Sequence, residues 1–311
     1  MSFLISVPDA LRQSVEAATG GRMTVIYDDN GLPSYMYVLP KFRYEDIGFD
    51  AELGTGVCTA FLVNGVEVDQ IFIGAYQASD LKGFACSLPG REVWRSINWD
   101  AARAACTSKG AGWDMMTVHD WAAVALSCAA NGYQPSGNTD HGRYHADHGQ
   151  FGRRVDGGYP GDSSGIGNIL AGTGPDAWRH DGGSAGISDL VGNVWEWLWG
   201  AKTIDGRIFA APDNDVSLAE GSWTDTGVDL VGANPWTSSG VSGTQLTDRI
   251  LWTYAGVDLE GYLAINTSGE RFPLRGGNRR NGGNAGLAAL NLSSARSASS
   301  TGLGFRPRFA L

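Results

Sequence analysis

The sequence predicts an α+β protein with few helices, many short strands and extensive loops, and three observations carry that prediction. Glycine (45) and tryptophan (11) are both abundant in the 311 residues, while charged residues make up only 18%, below the roughly 25% of an ordinary globular chain. That composition describes tightly turned segments pinned by large aromatics, and it excludes a coiled coil, a helical bundle or a disordered chain. Helical periodicity with recognisable caps is confined to three stretches. Elsewhere, short apolar runs are separated by polar and glycine-rich turns. The length allows two domains or one large mixed domain, with enough core to dispense with cross-links.

In chain order, residues 7–21 read as a short peripheral helix, with Ser6 as cap, Pro8 in the first turn and Gly20-Gly21 as the stop. MTVIYDD and SYMYVLP flank the turn Asp29-Asn30-Gly31, and VCTAFLV and VEVDQIFIGAY flank Asn64-Gly65, which predicts two hairpins. Two Ala-rich amphipathic helices follow. One covers about 99–109 and ends at Gly110; the other starts on the capping-box-like pair Thr117 and Asp120, runs to Ala130 and stops at Asn131-Gly132. Between Asn131 and Ser188 the pattern dissolves into Gly, Asp, Asn, Ser and Pro, a loop region too long to be a passive connection, whether ordered or mobile. Strand-like runs then return as VWEWLWG, GRIFAA, LWTYAG, RFPLRGG, GLAALNL and GFRPRFAL.

The net charge of −10 hides an asymmetry. From Arg271 to Leu311 there are seven Arg and no Lys, Asp or Glu, leaving sixteen basic against thirty-three acidic residues before it, a net of −17. The whole-chain charge disfavours nucleic acid as a partner, while the tail can present a local basic face. Arg275 and Arg306 are expected to be structural, paired with acids from the first 270 residues. Cys58, Cys86, Cys106 and Cys128 have no CxxC spacing, so neither a zinc ribbon nor a disulfide mini-fold is expected. The N-terminus has no basic region ahead of its short apolar run, and no stretch approaches 18 apolar residues, so membrane insertion is not expected. Phage particle, cell surface and cytoplasm all remain open as locations, and so does oligomeric state.

Three constellations bear on chemistry. Gly161-Asp162-Ser163-Ser164-Gly165 resembles a serine-protease nucleophile segment, but the upstream His119 falls at a capped helix start, and a polar turn is the simpler reading. His141, His145, Asp147 and His148 in HGRYHADH have spacings that can collect a transition metal, although glycines spoil a shared helical face and a solvated loop is the alternative. The run from Asp189 to Trp197 is the most specific. In a strand, Trp195, Trp197 and Trp199 point to one side and Val194, Glu196 and Leu198 to the other, leaving a carboxylate on an apolar face. Its partner is either a hard cation such as Ca²⁺, held by Asp189, the carbonyls of Gly192 and Val194, and Glu196, or a basic group such as Arg275.

SDLVGNVWEW, preceded by WDAARAACTSKGAGWDMMTVHDWAAVAL and followed by PLRGGNRRNGG and GLGFRPRF, resembles the formylglycine-generating-enzyme branch of the C-type lectin fold. The resemblance implies a domain over residues 46–311 in which two helices flank a small twisted antiparallel sheet with extensive loops, with residues 1–45 as an N-terminal extension of helix and hairpin. It also implies a structural Ca²⁺ at Asp189, Gly192, Val194 and Glu196. The oxidases of that branch use copper and two C-terminal cysteines, and this chain has no Cys after Cys128, so neither copper nor that activity is expected. Related iron-dependent sulfoxide synthases use HxxxHxE on a helical domain; His141, His145 and Asp147 give HxxxHxD inside a Gly-rich loop, so iron is not expected either.

What remains is similar to the variable proteins of diversity-generating retroelements, which display a C-terminal patch encoded by adenine-randomised codons. Codons of that kind cannot specify Trp, Met, Lys, Gln or Glu. None of the five occurs from Asn278 to Leu311, whereas they make up 35 of the 311 residues overall. The leading expectation is therefore a non-enzymatic display protein that binds a surface ligand or receptor through a variable segment of about 278–303. Arg275, Gly276 and Gly277 are expected to begin a turn and residues 285–292 to form a buried strand. Arg279, Arg280, Ser293, Ser294, Ala298, Ser300 and Gly302 are then the exposed ligand-binding positions. A metal-dependent enzyme of the same fold and a structural phage or surface protein are the alternatives.

Overall fold

The computed structural model describes residues 9–232, 243–253 and 256–311. Helix α1 (Ala10–Thr19) starts where the Asp9 carboxylate accepts from Arg12 N at 2.9 Å and ends at Gly20, whose φ of 61° supplies the left-handed cap. Ser6 and Pro8, the expected cap and first-turn residue, lie outside the described residues. Strands β1 (Met23–Tyr27) and β2 (Pro33–Pro40) form the first hairpin, its turn fastened by Asp28 accepting from the amides of Asn30 and Leu32. A short α2 (Asp50–Leu53) precedes the second hairpin, β3 (Leu62–Val63) and β4 (Val66–Glu67), around Asn64 and Gly65 at φ 50° and 77°. The strand expected over VCTAFLV is mostly a buried 3₁₀ turn, and VEVDQIFIGAY continues into β5 (Gln70–Gly74).

A third hairpin, β6 (Ala78–Leu81) with β7 (Phe84–Ser87), leads to α3 (Trp99–Thr107), β8 (Trp113–Met115) and α4 (Val118–Ala130). α4 opens with the reciprocal Thr117 and Asp120 cap that its sequence predicts. After the long loop come β9 (Trp195–Trp197), β10 (Ala201–Ile204), β11 (Arg207–Ala210), β12 (Thr224–Asp229) and α5 (Gln245–Arg249). The chain closes with β13 (Leu263–Ile265), β14 (Glu270–Gly276), β15 (Gly286–Ser294), β16 (Leu303–Phe305) and β17 (Pro307–Phe309). LWTYAG forms no strand among the described residues: Trp252 and Thr253 pack beneath α5, and residues 254–255 are not described.

Five strands pair in the order β1-β2-β5-β17-β8, so the N-terminal hairpin is continuous with the sheet that holds the C-terminal strand. The second sheet runs β12-β11-β10-β14-β15-β13, with β9 beside β14 and β16 beside β9. The observed class is α+β. One core lies under α4, and a second gathers Trp99, Trp195, Trp197, Trp199, Trp223 and Phe272. The three indoles of β9 and its flank point into this second core while Leu198 enters the first, as strand alternation requires. All four cysteines are buried free thiols, and burial pushes Cys58 up to about 11 and Cys128 up to about 12.

Two histidines are built in as neutral rings. His119, at the start of α4, sits between Thr59 Oγ1 (2.8 Å from Nδ1) and the Ala211 carbonyl (3.1 Å from Nε2), and His180 Nδ1 accepts from Ile187 N at 2.8 Å. Burial pulls both pKa values down to about 4. The unfolded chain protonates His near 6.5, so stability is full above that pH and is lost as pH falls toward 4, by roughly 3 kcal/mol per ring at most. Urea midpoints measured from pH 7 to pH 4 are expected to fall, and His119→Gln is expected to flatten part of that fall. An equally steep profile in the variant would show that His119 does not contribute.

Candidate functional site

The segment from Asp189 to Glu196 is where the loops are tied together. Asp189 and Asn193 adopt φ of 60° and 62°, flanking Gly192 at 79°. The Gly192 backbone is so close to its neighbour that an added Cβ would lie 2.2 Å from the Asn138 carbonyl oxygen, and at Gly137 it would lie 1.8 Å from that of Val191. Asn193 then acts as a clamp: its Nδ2 donates to Gln77 Oε1 (2.8 Å), its Oδ1 accepts from Ile169 N (2.9 Å), and its amide donates to Asn138 O (2.7 Å). Gly192→Ala combines left-handed strain with overlap, and it is expected to lower unfolding free energy on the order of 2–4 kcal/mol, read from the denaturant midpoint.

Glu196 is fully buried and its partner is Arg306, also fully buried. Arg306 Nε and Nη2 hold Oε2 and Oε1 at 2.9 and 2.8 Å; the same guanidinium donates to the carbonyls of Ser188 (2.8 Å) and Gly74 (2.7 Å). Gln77 Nε2 adds bonds to Glu196 Oε1 (3.0 Å) and to the Asp189 carbonyl (2.9 Å). Asp189 accepts from Gly172 N at 2.6 Å through Oδ2, its Oδ1 has no partner among the described residues, and burial raises its pKa to about 6. Both Glu196 oxygens face a cationic fork, so the donor set fits a guanidinium and does not fit a calcium ion at Asp189, Gly192, Val194 and Glu196. Among the described residues Arg275 has no acid partner. It donates instead to the carbonyls of Ile250 (3.0 Å), Leu251 (2.6 Å) and Ala288 (3.1 Å), closing the C-terminal end of α5, and burial pulls its pKa down to about 9.

The loop over residues 131–188 is ordered by side chains that bond to backbone. Arg154 is the hub: it pairs with Asp156 (2.7 Å) and donates to the carbonyls of Tyr159, Asp162 and Ser164 at 2.7, 2.6 and 2.7 Å. The Gly161 to Gly165 stretch is an Asx turn in which Asp162 accepts from Ser164, and His119 is buried elsewhere between Thr59 and Ala211. The histidines are also separated in role: His145 bonds Thr139 Oγ1 (2.8 Å), Asp147 caps Gly149 N (3.0 Å), and His148 is exposed. Among the described residues no three His, Cys, Asp or Glu side chains converge on one point. The loop also displays two aromatics, Phe151 at 55% exposure and Tyr159 at 85%.

The C-terminal segment places its candidate residues at two ends of a strand. Arg279, Arg280, Ser300 and Gly302 gather where β14 ends: Arg279 donates to Thr301 O and Oγ1 (3.1 Å each), and a Cβ on Gly302 would lie 2.7 Å from Asn278 Nδ2. Ser293 and Ser294 belong to β15, with Ser294 opposite Phe272, four strand residues or roughly 13 Å away from Gly276. Ala298 packs against the indole core. Exposure also differs from expectation. Arg279 and Gly302 are buried, because the Arg279 guanidinium ties one loop to the other beside Gly302; Arg280 and Ser300 are exposed.

Two contributors escaped the sequence reading. The 139–148 loop packs on the 278–284 turn, with His141 N donating to Arg279 O (2.9 Å) and Gly282 N to Thr139 O (3.1 Å). The other is Arg296, which lies over the rings of Trp99 (4.7 Å) and Phe272 (4.5 Å), donates to Asp100 (2.6 Å) and pairs with Glu220. An Arg flanked only by Ser and Ala in the tail gives no hint of that role; the excess of Arg over acids there is the one available signal.

No protein-family model and no curated protein matches the chain. Among solved structures it is similar to Treponema denticola variable protein 1, at 14% identity over 92% of this chain and 98% of that one, with a TM-score of 0.40. It is similar to PvdO from Pseudomonas aeruginosa at 15% identity, covering 93% and 98%, with a TM-score of 0.40. The I1 variant of the Major Tropism Determinant matches at 14% identity over 93% of this chain and 52% of that one, with a TM-score of 0.34. Likenesses this loose carry no argument about the activity of this chain.

Proposed function

We propose that this chain is a non-enzymatic display protein of C-type lectin fold that binds a surface ligand. Its recognition face joins the C-terminal loops to the loop carrying His141, Phe151 and Tyr159. The observation that carries the reading is a division of labour within residues 278–302. Anchors hold the backbone: the buried Arg279 on Thr301, and the half-buried Arg296 over Trp99 and Phe272 and Ala298 against the indole core. Between them Arg280, Asn284, Ser299 and Ser300 are exposed, and none donates a side-chain hydrogen bond to another described residue. Side chains with no packing role can change freely, and substitutions at such places usually shift stability by less than about 0.5 kcal/mol. The adjoining loop adds large exposed aromatics beside arginines, the residue types that dominate binding energy in interfaces.

Retroelement diversification is the finer part of this proposal. Sequencing the gene across individual members of one population is expected to show substitutions at adenine-derived codons for Arg280, Asn284, Ser299 and Ser300, with Arg279, Arg296 and Gly302 constant. Variation scattered evenly along the gene, or none in this segment, would count against it.

A further inference from the structure

The charge balance of the recognition face is uneven in a specific place. Arg143 pairs with Asp140 (2.7 Å), Arg154 with Asp156 (2.7 Å) and Arg95 with Glu92. Arg279 and Arg280 have no carboxylate partner among the described residues: Arg279 bonds only Thr301, and the exposed Arg280 guanidinium makes no hydrogen bond. Against them lies His141. It is half-buried, it adopts a φ of 46°, and neither of its ring nitrogens has a hydrogen-bond partner among the described residues, Nδ1 being enclosed beside Gly167. An unsatisfied buried polar atom needs an explanation, and a non-glycine residue held in the left-handed region is a recurrent mark of a functional site.

We propose that His141, Arg279 and Arg280 form a site for one oxyanion group of the ligand, a carboxylate, sulfate or phosphate, with Arg280 and the imidazole touching it and Arg279 supporting them from beneath. This deepens the recognition-face reading and rests on it. The surroundings supply what such a group needs. Planar guanidinium forks match oxyanions in geometry as well as charge. Two cations without acids give a local positive corner in a chain of net charge −10. Burial, and then the neighbouring Arg280, Arg95 and Arg154, pull the Arg279 pKa down to about 10. An anion would relieve that repulsion.

The His141 ring titrates below its ordinary value through burial first, then Arg280, with Asp140 opposing and Arg279 and Arg154 adding to the depression. These are the charged groups that act on it: Arg279 and Arg280 from the C-terminal turn, Asp140 and Arg154 from its own loop region. An anion favours the protonated ring, so by linkage the anion must raise the His141 midpoint, and affinity must rise as pH falls.

The test is an NMR pH titration of the His141 ring in the full chain, in sodium chloride, acetate and sulfate at equal ionic strength. Acetate or sulfate is expected to raise the midpoint saturably by about one unit over chloride, equivalent to about tenfold tighter binding to the charged ring; the two salts separate a carboxylate site from a sulfate or phosphate site. Arg280→Ala, at an exposed position, is expected to keep the fold and remove the anion-dependent rise. Equal midpoints in all three salts, or a rise that survives Arg280→Ala, would overturn the proposal. Such a failure leaves the recognition-face reading to be judged separately, by tolerance and binding of a chain randomised at Arg280, Asn284, Ser299 and Ser300.

Discussion

Glu196→Gln is expected to lower the unfolding free energy by about 3–5 kcal/mol, the usual cost of removing one member of a buried ion pair. The reason is what stays behind. Arg306 would remain fully buried with two of its nitrogens facing an amide in place of a carboxylate, while its other bonds, to Ser188 O and Gly74 O, still hold it there. Arg306→Lys keeps the charge but not the fork that meets both Glu196 oxygens, so a loss of similar sign is expected. Calcium is expected to leave the wild-type melting temperature unchanged, and so is chelator, because the guanidinium already meets the carboxylate. Urea titrations and thermal melts of the three proteins, with and without Ca²⁺, check both statements. A calcium-dependent rise lost in Glu196→Gln would restore the metal in place of the ion pair.

Removing Arg280 and Tyr159 together is expected to cut affinity for the natural ligand at least a hundredfold while leaving the melting temperature unchanged. The exposed Arg280 guanidinium makes no hydrogen bond to a described residue, and Tyr159 is 85% exposed, so neither side chain has a packing role to lose. At an interface their types are the ones that carry most energy, at roughly 2 kcal/mol or more for each central residue. The backbones that present them are fixed from below, Tyr159 by the Arg154 bond to its carbonyl (2.7 Å) and Arg280 by the Asn278 bond to its amide (2.9 Å). Binding to the surface extract that retains the wild-type chain, measured beside thermal melts, separates the two effects. Equal retention of the double variant would move the contact surface elsewhere.

Local chemistry in the sequence was enough for the elements whose signals are local. The Thr117 and Asp120 cap, the Asn64-Gly65 hairpin and the alternation of Trp195, Trp197 and Trp199 each need only a few neighbouring residues to specify them. β6, β8, β10 and β13 are three or four residues long, too short for periodicity to show, and exist because a partner strand reaches them. The partner of Glu196 was beyond reach for another reason. Arg306 lies 110 residues away, and nothing local distinguishes it from Arg275, which instead closes α5. The split between Arg279 and Arg280 depends on the approach of Thr301, a tertiary event that adjacent identical residues cannot reveal. The order of the 131–188 loop comes from Arg154 gathering carbonyls within the loop and from the bonds of Asn168 and Asn193 to backbone some two dozen residues away, so a composition that reads as loop is a fastened structure.

The central claim is that a fixed framework carries a freely variable recognition face. Its most direct test is a library randomised at Arg280, Asn284, Ser299 and Ser300, displayed on yeast beside a matched library randomised at Arg279, Arg296, Ala298 and Gly302, with surface expression and binding to an unrelated protein target scored in both. The account predicts that most members of the first library fold and that selection recovers binders, while most of the second fail to display. Comparable loss of folding in both libraries, or a fully folded first library that never yields a binder, would contradict it.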